Sequence, residues 1–196
     1  MLVRLGQEVQ EVPRRLATPD SPLADRLIRL EPLTQAHATA LAALVDDPDV
    51  KRFTMVPSDA DATFVAGWIE RYERGWDDAS KAGFAVLLAD EVVGFAALVQ
   101  VDLERGEAEI GYLIGPAARG RGVATSAVEL LTRWSFDELG LERLELRIDP
   151  ANVGSERVAE RTGYEREGVL RSRYFKEGLR ADVGIWSRLR ASSPVH

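Results

Sequence analysis

The sequence predicts an α+β (mixed α/β) domain built around a central twisted, mostly antiparallel sheet. Two patterns carry that expectation. Three short apolar stretches, "GFAVLLAD" (83–90), "EVVGFAALVQV" (91–101) and "EAEIGYLI" (107–114), follow one another across turn-sized gaps, the spacing of an antiparallel meander. Helical periodicity flanks them. Phe64, Trp68 and Tyr72 recur four apart within 58–76, and Val123, Ala127, Leu130, Leu131 and Trp134 make a broad apolar stripe within 123–140.

Taken in order, residues 1–24 read as a mobile N-terminal arm with no long apolar h-region. "RLIRLEPL" (26–33) alternates like a half-buried strand. Thr34 can cap the next segment, a helix over 35–47 that must end near Pro48. The aromatic face of 58–76 packs in the core and could also border a substrate cleft. Strands are expected at 84–89, 92–101 and 107–114, with a tight turn at Asp90–Glu91 and a second turn at "LERGE" (103–107). Gly140 stops the helix that opens at Val123. A strand at 143–149 precedes a short helix capped by Ser155 and closed by Gly163, and strands near 164–170 and 183–189 finish a single domain over 25–190. Residues 191–196 form a tail.

Composition narrows the chemistry. With 196 residues, 45% of them hydrophobic, the chain can bury one core without staples. It has no cysteine, which removes thiolate nucleophiles, thiolate metal sites and disulfides and fits a reducing cytoplasm. Its two histidines, His37 and His196, give a histidine base or metal cluster little to work with. A net charge of −7 argues against nucleic-acid binding and would suit a cationic substrate. No apolar run approaches the ~20 residues of a membrane span.

The densest signal is "GPAARGRGVA" (115–124), set between a strand and a helix. Amides of a helix's first turn lack partners inside the helix and the dipole is positive there, so such a turn suits an anion. Gly115 and Gly120 have P-loop spacing, but Arg121 and Gly122 stand where a lysine and a magnesium-binding hydroxyl belong. Gly120 and Gly122 begin a dinucleotide fingerprint, but Thr125 replaces its third glycine and the preceding strands read as antiparallel.

The element Arg119-Gly120-Arg121-Gly122-Val123-Ala124 resembles the Arg/Gln-x-x-Gly-x-Gly/Ala motif of the GNAT acyl-CoA N-acyltransferases. "AEIGYLIGP" is similar to that family's fourth strand, and "RLELRIDPANVGSERVAERTGYEREGVLR" to its fifth strand, Asn-x-x-Ser helix and following strand. The opening "DRLIRLEPL" and the closing "RYFKEGLRADVGIWSRL" resemble the RimJ/RimL branch. The resemblance implies the GNAT fold, with helices on both sheet faces, and direct acetyl transfer from acetyl-CoA to a primary amine without an acyl-enzyme or a metal. A small-molecule amine or a protein N-terminus is the expected acceptor, in the cytoplasm, without nucleic-acid or membrane partners, and a homodimer is in keeping with the family. The pyrophosphate of coenzyme A would lie on Arg119, Gly120, Arg121, Gly122, Val123, Ala124 and Thr125, one arginine facing phosphate and the other solvated.

The same resemblance implies the other roles. Amides at Leu113 and Ile114 would meet the thioester carbonyl where two strands splay apart. Asn152 would hydrogen-bond coenzyme A. Glu109, on the face of its strand shared with Gly111 and Leu113, would be the base, with Glu107 as substitute. Many relatives place a tyrosine acid four residues beyond Ser155. This chain has Ala159 there, which leaves Ser155 or water to protonate the departing sulfur. A non-catalytic acyl-CoA sensor of the same fold is the alternative.

Overall fold

The structure is a computed structural model that describes residues 15–191. Its strands are β1 (Leu23–Ala24), β2 (Arg29–Pro32), β3 (Ala82–Leu88), β4 (Glu91–Leu98), β5 (Glu107–Ile114), β6 (Arg143–Ile148), β7 (Glu165–Lys176) and β8 (Leu179–Leu189). They form one eight-stranded sheet in the order β1-β2-β3-β4-β5-β6-β8-β7, antiparallel throughout except for the β5–β6 pair. The helices are α1 (Ala38–Val45), α2 (Pro48–Phe53), α3 (Ala62–Asp77), α4 (Val123–Asp137) and α5 (Val153–Arg161).

Two apolar clusters lie on opposite faces of the sheet. On one face Leu41 and Val45 of α1 and Val65, Ile69 and Tyr72 of α3 pack on Ala85, Phe95, Ala97 and Leu113. On the other, Ala127, Leu131 and Trp134 of α4 and Val158 and Ala159 of α5 pack on Phe84, Ala96, Ile110, Leu144 and Leu146. Period-two alternation along β5 accounts for the division: 109, 111 and 113 face α3, while 108, 110, 112 and 114 face α4. Leu131 is fully enclosed, and truncating it to alanine should cost about 2–5 kcal/mol.

Several boundaries differ from the sequence reading, each for a local reason. The helix expected over 35–47 is a 3-10 turn (Gln35–His37) followed by α1. Pro48 then opens α2, because a proline at the first helical position surrenders an amide that has no partner anyway. The β3–β4 turn lies one residue early, at Ala89 and Asp90, both with positive φ. Asn152, not Ser155, is the cap of α5: its side chain accepts the Ser155 N–H at 3.1 Å, which moves Ser155 into the first turn. The closing strands run much longer than 164–170 and 183–189 and form a hairpin across 171–182. Of the arm assigned to 1–24, residues 1–14 lie outside the described residues, as do 192–196. From there Leu16 is buried and its N–H donates to the Trp76 carbonyl at 2.9 Å, so this part of the arm belongs to the packed domain.

Candidate active site

The β5–β6 seam is closed at one end and open at the other. Glu107, Ala108 and Glu109 pair with Arg143, Leu144 and Glu145, and there the pairing stops. Beyond that point β5 stays on β4 through Ile114, and β6 stays on β8 through Ile148. Each strand follows the twist of its own partner, so the two diverge.

The ladder phase fixes which backbone groups face the opening. Val99 N–H donates to Glu109 C=O at 2.9 Å, and Gly115 N–H donates to Val93 C=O at 2.8 Å. Odd-numbered residues of β5 therefore turn their backbone groups toward β4 and even-numbered ones toward the gap. Leu113's amide points at β4, and the amides released into the gap are those of Tyr112 and Ile114. Across it, the Arg147 carbonyl accepts from the Tyr174 hydroxyl at 3.3 Å, which replaces a ladder bond with a side chain from β7.

The glycine turn lies at the mouth of this gap. After a 3-10 turn (Pro116–Ala118), Gly120 and Gly122 take φ of +73° and +84°, and Gly122 is the residue before α4. Such backbone suits glycine and strains residues with a Cβ. Among the described hydrogen bonds, none is donated by the amides of Gly120 to Thr125; the first bond of α4 runs from Ser126 N–H to Gly122 C=O. A Cβ on Gly120 would meet no atom within 4 Å, so the turn is open. Val123 is buried beneath it, and Ala124 and Thr125 are half-buried in the first turn.

The two arginines separate. Arg119 Nε donates to the Ile114 carbonyl at 3.0 Å, and its guanidinium pairs with Asp47 and Asp49 at the start of α2. Burial would raise the Asp47 carboxyl, but the Arg119 hydrogen bond and the Val50 and Asp49 amides outweigh it and hold that group low. Arg121 is exposed and has no ion pair among the described residues.

A cavity of about 630 Å³ runs along the open seam. Asn152 and Ser155 line it on the α5 side, Glu109 and Arg147 on the sheet, and Phe64, Trp68 and Tyr72 on α3. The aromatic face of α3 thus serves both core and cleft. Glu109's side chain is 15% exposed, and its Oε2 is 3.2 Å from Arg147 Nε without hydrogen-bond alignment. Burial pushes the Glu109 carboxyl up and Glu145 adds to this, while Arg147 pulls it down; the net direction is up. Glu109 also borders a second, more polar cavity of about 500 Å³ that includes Glu107, Gln100 and Arg105. It stands between the aromatic cleft and a polar route to solvent.

Tyr112 and Tyr174 join the site without having been singled out in the sequence. The Tyr112 hydroxyl is buried without a hydrogen bond, beside Ser155, and burial pushes it up to about 12. Only the gap-facing phase of β5 could have flagged it. Ala159, where the resemblance leads one to expect a tyrosine, is fully enclosed. Tyr164 is buried and its hydroxyl lies 2.9 Å from Thr132 Oγ1, a packing role. Trp76, Trp134 and Trp186 are core residues, and Trp68 is cleft wall.

A sheet split at mid-strand and an open glycine turn following it are the arrangement that the GNAT resemblance implies, and the comparisons with known proteins agree. The family described as acetyltransferase (GNAT) domain matches residues 27–165, and the chain belongs to it. The chain is 27% identical over 165 residues to the uncharacterized N-acetyltransferase p20 of Bacillus licheniformis, covering 83% of this chain and 93% of that one. It is 30% identical over 138 residues to the putative ribosomal N-acetyltransferase YdaF of Bacillus subtilis, covering 70% and 75%. The fold matches RimL, a ribosomal alpha-N-protein acetyltransferase solved with coenzyme A, at a TM-score of 0.78 and 16% identity over 86% of this chain and 98% of that one. The protein is an acetyltransferase of the RimJ/RimL-like branch.

Proposed function

We propose that the protein moves acetyl from acetyl-CoA to a primary amine, on a small molecule or a protein N-terminus, by direct attack. The observation that carries this reading is the conjunction of unpartnered amides at Gly120–Thr125 with the β5–β6 gap, which opens after Glu109 along the strand that leads into the turn. The residues present fit coenzyme A on that ground: an open, amide-lined turn for the diphosphate, then a slot with free backbone donors for the thioester arm. Gly120, Arg121, Gly122, Val123, Ala124 and Thr125 would hold the diphosphate, and Asn152, whose side-chain oxygen caps α5, keeps its amide hydrogens for the arm. Arg119 works from behind, by fixing the turn to α2. Acetyl-CoA would supply an activated acyl group.

Glu109 takes the proton that the acceptor ammonium must lose, through a water, and its raised pKa brings its basicity closer to that of the amine. The polar cavity beside it gives that proton an exit. As the amine nitrogen bonds the acyl carbon and the carbon–sulfur bond breaks, the gap-facing amides of Tyr112 and Ile114 stabilise charge on the carbonyl oxygen, a correction to the expectation for Leu113. Ser155 relays to the departing sulfur the second proton that the attacking nitrogen sheds as the amide forms, so its hydroxyl is regenerated, and Tyr112 is the buried neighbour able to hydrogen-bond Ser155.

Calorimetry with acetyl-CoA, followed by thiol release with a panel of amines, tests the reading. One site per chain and amine-dependent thiol release are expected. Binding without release from any amine would favour the acyl-CoA sensor, and absence of binding at saturating acetyl-CoA would sink both.

A further inference from the structure

The cleft's charge runs opposite to that of the chain. With a net charge of −7, the protein should attract cationic amines, yet the cavity is lined by Arg71, Lys81, Arg147 and Arg173 against Glu109 and Asp149. Arg147 is neutralised by Glu109 at 3.2 Å and Glu145 at 3.4 Å. Asp149 accepts the Ala151 N–H at 2.8 Å as part of the turn into α5. Arg71, Lys81 and Arg173 have no carboxylate partner among the described residues. Two of these cations lie near aromatic rings instead: Lys81 Nζ is 5.8 Å from the Tyr72 ring centroid and the Arg71 guanidinium is 5.8 Å from that of Phe64.

The rings themselves form a continuous wall. Phe64 stacks on Trp68 at 6.2 Å between centroids, Trp68 meets Phe95 at 4.4 Å, and Phe95 meets Tyr72 at 5.1 Å. Tyr174 and Phe175 approach from β7. Rings in such number favour a planar apolar body, and unpaired cations at their edge favour an anion attached to it. A polyamine would place its extra ammonium groups among Arg71, Lys81 and Arg173, where like charges repel.

Resting on the transferase reading above, we infer that the acceptor is a small amine with an aromatic body and a carboxylate, of the aromatic amino-acid class. Its rings would lie along Trp68 and Phe95, its carboxylate would meet Arg71 or Arg173, and its amine would face Glu109.

Thiol release from acetyl-CoA should be compared for L-tryptophan and L-phenylalanine, for their decarboxylated counterparts tryptamine and phenethylamine, and for spermidine. The carboxylated member of each pair should show kcat/KM about tenfold higher or more, with spermidine slowest. In the double variant R71Q/R173Q the ratio within each pair should collapse toward one. Decarboxylated amines or spermidine matching or exceeding the amino acids would overturn the inference and leave the transferase reading intact. A ratio that survives the double variant would overturn the role of these arginines. Thiol release from none of the five probes would overturn the inference outright. If a wider amine library also gave none while acetyl-CoA bound, the transferase reading would fall as well.

Discussion

The two ends of the cleft are built by different means. Around Gly120–Thr125 the working groups are backbone amides held by one short stretch of chain, and few side chains intrude. The acceptor end is assembled from α2, α3, β4, β5, β6 and β7, and it is tied together by side chains. Lys176 donates to the carbonyls of Lys51 and Thr54, Glu177 accepts the Ser58 N–H at 2.7 Å, and Arg119 bridges to Asp47 and Asp49. Damage at the first end should therefore appear as lost cofactor affinity. Damage at the second should appear as altered turnover or acceptor preference. Arg119 links the two, with its Nε on the Ile114 carbonyl ahead of the turn and its guanidinium on Asp47 and Asp49 at α2.

The largest expected break in this division is at Glu109, the proposed base. Glu109→Gln should lower kcat by about a hundredfold or more while the acetyl-CoA Kd stays within twofold. The sign of the pH dependence follows from the shift. The base works ionised and its pKa is raised, so the wild-type rate should climb with pH through a limb lying above the usual carboxylate range. That limb should vanish in the variant, and a pH–rate profile unchanged by the substitution would exclude Glu109. Next in size, Gly122→Val should weaken acetyl-CoA binding by about ten- to a hundredfold, the worth of one or two charge-assisted amide bonds. Its folding cost, from a φ of +84°, should be only about 1–2 kcal/mol. Calorimetry and denaturant titration measure the two separately, and equal losses in both would mean that the turn is only structural.

The arginines sharpen the comparison further. Arg121→Gln should raise the acetyl-CoA Kd about three- to tenfold and flatten its salt dependence without touching acceptor KM, as expected for an exposed cation near phosphate. Arg119→Gln should raise both acetyl-CoA Kd and acceptor KM by a similar factor, because it frees α2 as well as the turn. Steady-state kinetics with each substrate varied would distinguish them, and identical behaviour of the two variants would refute the separation. Smallest of all, Asn152→Ala should cost α5 about 1 kcal/mol of stability as a lost cap, whereas Ser155→Ala should lower kcat and leave the melting temperature in place.

How much was legible in advance depended on the range of the forces involved. The meander, the α3 and α4 faces, the glycine turn and the stop at Gly140 follow from residues within a few positions of one another, so periodicity and turn chemistry exposed them. The cap of α5 lies three residues ahead of the one the sequence suggests, because Asn152 and Ser155 are both good caps and only the 3.1 Å bond shows which is used. The β7–β8 hairpin extends beyond what the sequence suggests because β7 is exposed along nearly all its length, so it lacks the alternation that marks a half-buried strand. Tyr112, Tyr174 and Arg147 carried no motif of their own.

The order of elements, the glycine turn and the placing of Glu109 on the strand before it were determined by the sequence by itself, since each rests on short-range periodicity and turn chemistry. The phase of β5, which hands the gap to Tyr112 and Ile114 instead of Leu113, was decided only by tertiary structure. So were the capture of Arg119 by α2 and the cationic, aromatic wall of the cleft. These depend on which strands stay paired and on contacts between separate elements, from Trp68 on Phe95 to Arg119 on Asp47, 72 positions away. Such contacts are chosen by packing free energy over the whole sheet, a quantity that no short window of residues contains.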